Sequence, residues 1–142
     1  VLLKPGPLTD SEWQIMRQHP AIGAEILGED DSGILQLARS IALTHHEKWD
    51  GSGYPVGLSG NAIPLAARIV AIADVFDALT SVRPYKRAWS VDDAMAHIQG
   101  QAGLHFDPDL VPVFLSLREQ LETIRQRWKD EAPEPVIADC LG

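Results

Sequence analysis

Apolar residues recur at helical spacing along most of this chain, and the polar and breaker residues between them mark where each helix starts and stops. Thr9-Asp10-Ser11-Glu12 reads as a capping box opening a helix with Ile15, Met16 and His19 on one face. Pro20 disfavours helical geometry at His19, so a stop or kink is expected there, before a short second helix carrying Ile22, Gly23 and Ile26. Gly28 to Gly33 reads as a solvated turn, because Glu29, Asp30 and Asp31 lack the alternating pattern of a calcium loop. From Ile34 a helix runs to His45-His46, its stripe formed by Ile34, Leu37, Ala38, Ile41 and His45.

From about Trp49 to Pro64, four glycines, Asn61 and two prolines exclude regular structure. Tyr54, Pro55 and Leu58 give this long loop apolar anchors, so it is expected to be ordered and to fold over the mouth of a site. Leu65 to Val82 is apolar on nearly every face and is expected to be the central buried helix, with Asp74 and Asp77 enclosed in it. Ser81 to Trp89 forms a connection. Ser90 caps a helix from Val91 to about Gln99. Asp107 as N-cap and Pro108 at the first helical position start a last helix running to about Glu131, its distal half charged and projecting. Every element read this way is a helix or a loop, which makes the fold all-α.

Composition narrows the class. At 142 residues the chain suits one core, taken as a domain over residues 1–131 with a flexible tail over 132–142. A net charge of -8 leaves too little Lys and Arg for sequence-independent DNA or RNA binding, although metal ions would let an acidic chain take a small anionic ligand. Cys140 is the single cysteine, so no internal disulfide forms and a reducing, cytoplasmic setting fits. No run approaches the roughly 20 apolar residues of a membrane span, and none reads as a cleavable signal peptide. Val1-Leu2-Leu3 reads like the interior of a fold, so the chain is taken as part of something longer.

Candidate chemistry concentrates where the stripe ends. Adjacent imidazoles at a helix end suit a divalent transition metal, but spacing alone serves a hydrogen-bonded core histidine equally well. An ionised Asp74 in an apolar helix needs a cation: either a metal or an arginine such as Arg68. Arg83, Lys86 and Arg87 form a local cation cluster suited to phosphate, or scattered surface charge at a turn. His97 and His105 receive no role, although His105 is placed to line a pocket edge.

The run His45-His46-Glu47-Lys48-Trp49-Asp50-Gly51-Ser52-Gly53-Tyr54-Pro55 resembles the signature of the HD-GYP family, metal-dependent phosphodiesterases that open cyclic di-GMP. The likeness extends from Leu3-Lys4-Pro5-Gly6 through Ile63 to Asp74 and Arg83-Pro84-Tyr85-Lys86 to Phe106-Asp107-Pro108. It implies an HD-domain-like helical bundle. Residue by residue, it implies His19, His45, His46 and Asp74 as metal ligands for two or three iron or manganese ions. It further implies Gly53, Tyr54 and Pro55 bordering the substrate cleft, and Arg83 and Lys86 holding the phosphates.

The family's His-Asp pair and the lysine after it are expected before Lys4, so no catalytic residue is assigned within this chain and the bundle is taken as N-terminally truncated. The intact domain is expected to be the phosphodiesterase, in bacterial signalling, and this chain alone to hold a partial site with little turnover. Implied partners are cyclic di-GMP, GGDEF-type cyclases and a preceding receiver or sensor domain, and a homodimer stays open. Two alternatives remain: a degenerate module that binds cyclic di-GMP or a GGDEF-type partner without hydrolysis, and an HD-type hydrolase of another nucleotide.

Overall fold

The helical spacing of apolar residues is realised throughout the structure, a computed structural model that describes residues 6–28, 32–82 and 87–131. Among the described residues there are seven α-helices, one 3-10 turn at Gly60–Ala62, and no strand beyond a single bridge between Ala102 and Phe106. The helices are α1 (Asp10–Met16), α2 (His19–Leu27), α3 (Gly33–Thr44), α4 (Leu65–Thr80), α5 (Val91–Gly100), α6 (Leu110–Ser116) and α7 (Arg118–Glu131). None is long and apolar enough to cross a membrane.

The start signals act as read. The Thr9 hydroxyl accepts from the Glu12 amide at 3.4 Å and the Glu12 carboxylate accepts from the Thr9 amide at 2.7 Å, closing the capping box. Ser90 caps α5 by accepting from the Asp93 amide at 3.0 Å. Near Pro20 the chain stops at Met16 and restarts at His19, with the proline in the first turn of α2, where its missing N–H is harmless.

The buried apolar core lies where α4, α5 and α6 meet. Ala71, Ile72, Phe76 and Leu79 of α4 close on Ala94, Met95 and Ile98 of α5, with Phe106 and Val111 completing the cluster. At the other end α3 joins α2 to α4. Arg68 of α4 locks this frame: its guanidinium donates to Asp107 at 2.7 Å, to Asn61 at 3.3 Å and, through Nε, to the Ile63 carbonyl at 2.9 Å.

Four expectations need correction. Helix α4 is buried on one face only, and Leu65, Ile69, Asp74 and Asp77 are exposed, because among the described residues α3, α5 and α6 cover just the opposite side. The N-terminal half of the α3 stripe is open for the same reason, with Ile34 80% and Leu37 52% exposed. Pro55 is exposed and anchors nothing. The last helix is two. Leu117 interrupts it where the Ser116 hydroxyl turns back to the Val113 carbonyl at 2.6 Å, a local bond that competes with the helical ladder. The Asp107 carboxylate caps the turn before α6 by accepting from the Asp109 amide at 2.9 Å, so α6 starts at Leu110 rather than at Pro108.

The Glu29-Asp30-Asp31 turn, Arg83, Lys86 and the tail over 132–142 lie outside the described residues.

Candidate metal centre

His19 opens α2, while His45 and His46 follow the last turn of α3, so the packing of α2 on α3 brings residues 26 and 27 positions apart into contact. The His19 Nε2 lies 3.4 Å from the His45 Nε2 and 2.9 Å from the His46 Nε2. One ligand atom from each ring falls within 4.8 Å of the other two, and all three side chains are half-buried. It is the only such group of three or more His, Cys, Asp or Glu side chains among the described residues.

The opposite ring nitrogens set the tautomers. His19 Nδ1 lies 2.6 Å from the Met16 carbonyl, and His45 Nδ1 lies 2.9 Å from the Ala42 carbonyl and 3.1 Å from that of Ile41. A carbonyl only accepts, so both rings carry their proton on Nδ1 and turn an Nε2 lone pair inward. Two inward lone pairs 3.4 Å apart repel, a repulsion relieved by a cation between them or, for His19, by a proton on the His46 Nε2 2.9 Å away. Ligating histidines habitually donate their other N–H to a backbone carbonyl, and nitrogens each about 2.1 Å from one ion sit roughly 3.0 to 3.4 Å apart. The donor set fits a divalent transition metal.

Burial, followed by the charges of His45 and His19, lowers the His46 pKa to about 4, while Asp74 acts in the opposite direction. His46 is therefore a neutral ligand at pH 7. Asp74 stands outside the triad on the exposed side of α4, close enough to act electrostatically on His46, Tyr54 and His105. His105, stacked on Phe106 at 4.3 Å, is likewise lowered to about 4, by burial first and then by Lys48. It acts electrostatically on His46 but is not among the residues that line the groove beside Tyr54.

The loop after His46 folds back on the triad. The Tyr54 ring stacks on the His46 ring at 4.8 Å with 19° between planes, and the Tyr54 amide donates to the His46 carbonyl at 3.2 Å. The Arg17 guanidinium lies 5.6 Å from the Tyr54 ring centre. Burial raises the Tyr54 pKa against the pull of Arg17. Beside Tyr54 runs a groove of about 570 Å³ whose walls include Trp13, Arg17, Lys48 and Gly53. A larger cleft of about 770 Å³ lies at the far end of α4, between Thr80, Trp89, Arg125 and Trp128, away from the histidines.

Sequence reasoning gave no role to Glu47, Arg17 or Trp13. Glu47 is only 2% exposed, and its carboxylate accepts from the amides of Val56, Gly57 and Leu58. The one legible hint was its place directly after the two histidines.

The family model for the HD domain matches residues 1–110. The chain is 53% identical over 137 residues to the cyclic di-GMP phosphodiesterase response regulator RpfG of Xanthomonas campestris, covering 96% of this chain and 36% of that protein. It is 52% identical over 137 residues to a cyclic di-GMP phosphodiesterase of Vibrio cholerae, covering 93% of this chain and 28% of that one. The chain thus spans about a third of the length of these relatives. Among solved structures, a cyclic GMP-AMP-specific phosphodiesterase of Vibrio cholerae superposes with a TM-score of 0.59 at 27% identity, covering 82% of this chain and 25% of that one.

Proposed function

Because the chain belongs to the HD-GYP family, we propose that it supplies the histidine face and the substrate-facing loop of a metal-dependent phosphodiesterase acting on cyclic di-GMP. The observation that carries this reading is the convergence of the His19, His45 and His46 Nε2 atoms with two of their lone pairs turned inward. His19, His45 and His46 would hold an iron or manganese ion, which would supply Lewis acidity toward the phosphoryl oxygen and lower the pKa of a water toward neutral.

The chain's own residues do the rest. Asp74 adds a carboxylate on the exposed side of α4, near enough to act electrostatically on His46. Gly53 and Tyr54 line the groove assigned to the dinucleotide, Tyr54 joins it to the triad by stacking on His46, and the exposed Pro55 follows them in the loop. Arg17 and Lys48 line it with positive charge in an otherwise acidic chain, and we assign Arg83 and Lys86 the same phosphate-holding role. Among the described residues three imidazoles suffice for one ion, whereas in-line displacement between two metals needs further ligands, so we assign little turnover to these residues by themselves.

A preceding regulatory domain, a GGDEF-type cyclase and a second copy of the chain are the partners compatible with this role. A second reading, binding without hydrolysis, is favoured by the exposed position of Asp74 outside the triad.

The test is a panel of cyclic di-GMP, 3'3'-cyclic GMP-AMP and an unrelated nucleotide, with the Mn2+-loaded protein. Saturable binding of cyclic di-GMP with slow or no cleavage is expected. Cleavage of cyclic di-GMP at the rate of a full-length relative would overturn the assignment of turnover. Preference for either other nucleotide would overturn the substrate.

A further inference from the structure

We infer that Glu47 is a positioning residue, a buried anionic latch that holds Tyr54 against His46 and thereby fixes the ring of a metal-holding histidine. The inference rests on the triad being a metal site.

A carboxylate that is 2% exposed is costly unless fully hydrogen-bonded. Here four hydrogen bonds arrive from three successive backbone amides. Oε1 accepts from Val56 at 2.8 Å and Gly57 at 3.2 Å, and Oε2 accepts from Gly57 at 3.0 Å and Leu58 at 3.0 Å. Successive N–H groups turned toward one anion form a concave, positively polarised cradle, and bonds to an ionised acceptor are the stronger kind. The loop thus wraps around a charge supplied by its own first turn.

The wrapping has a second contact. At Gly53 an added Cβ would press on the Lys48 nitrogen and lie 2.5 Å from the His46 carbonyl oxygen and 2.6 Å from the Glu47 Cα. Only glycine lets the loop touch the backbone that carries His46. Between these two fastenings stands Tyr54, its amide on the His46 carbonyl and its ring on the His46 ring. With its amide on the backbone and its ring on the side chain, Tyr54 couples loop placement to the orientation of the ligand.

Glu47→Gln keeps the shape and removes the charge. One oxygen remains for two of the bonds, while the new NH2 faces donors that have no acceptor. Three variants, E47Q, Y54A and the double substitution, are compared with the unaltered protein by Mn2+ calorimetry, amide exchange of residues 56–58 and the nitrogen signals of the His46 ring. In E47Q we expect lost protection at Val56, Gly57 and Leu58, displaced His46 ring signals, and Mn2+ affinity weakened roughly 10- to 100-fold, the range for partners that orient a ligand. Y54A weakens Mn2+ similarly, and the double variant adds little, because both act through one contact.

E47Q with unprotected amides but unaltered Mn2+ affinity and ring signals would overturn the latch and leave Glu47 a purely local brace. Should the unaltered protein bind no Mn2+, the metal reading fails by itself and the ring signals still decide the latch. Where E47Q does not fold, V56P, which deletes one donor and keeps Glu47, is held to the same measurements.

Discussion

Two imidazoles that spend their only proton on a carbonyl must turn a lone pair elsewhere, and in this chain both turn it toward the same point. His45 was legible because it ended an apolar helical stripe, His46 because of the motif around it, and His19 only through the family resemblance. Glu47 was not, since an acidic residue in a polar, glycine-rich stretch reads as solvated, and only the return of residues 56–58 buries it. Asp74 failed in the opposite sense: an apolar helix sequence suggested burial, but cover depends on neighbours that spacing does not reveal. A pH dependence belongs at this scale. His46 and His105 titrate near 4 in the fold, against about 6.5 when unfolded, both mainly through burial. As pH falls through that interval the unfolded chain takes up protons that the native chain refuses. The contribution of these neutral rings is therefore complete above pH 6.5 and lost progressively toward pH 4. Urea midpoints should fall across that window, and H105N should flatten the slope. An equally steep profile in H105N would contradict the burial of that ring.

At the level of elements, the start signals were the most legible, because a cap is a contact within one turn. The break at Leu117 was not legible, since Ser116-Leu117-Arg118 contains neither glycine nor proline; there the Leu117 amide bonds to the Phe114 carbonyl, while the Val113 carbonyl accepts from the Ser116 hydroxyl. Nor was the partner of Arg68. The sequence offered Asp74, six positions along the same helix, whereas the fold offers Asp107, which is 3% exposed and also caps the turn into α6. Removing one partner of a buried pair strands the other, so D107A should cost about 3–5 kcal/mol in urea unfolding. T9A, which deletes an exposed capping box, should cost about 1 kcal/mol. Equal losses from the two would contradict the pairing that ties α4 to the start of α6.

For the molecule as a whole, the all-α architecture was legible from periodicity, and the family from its motifs. The degree of burial was not: Ile22, Ile26, Ile34, Leu37, Leu65 and Ile69, on three helices joined through α3, stand 49% to 80% exposed. The well-packed part is the α4–α5–α6 cluster, while the histidine triad fastens α2 to the end of α3. An ion held there binds the folded chain and not the unfolded one, so it should tie the less buried half to the rest and raise the melting temperature of the whole. The most direct test is Mn2+ titration by calorimetry of the unaltered chain beside H19A, H45A and H46A. Binding of about one ion, weakened in each variant by more than the roughly tenfold minimum for loss of an orienting partner, is the predicted result. Indistinguishable binding by all four proteins, or none by the unaltered chain, would contradict the claim that these three rings share one ion.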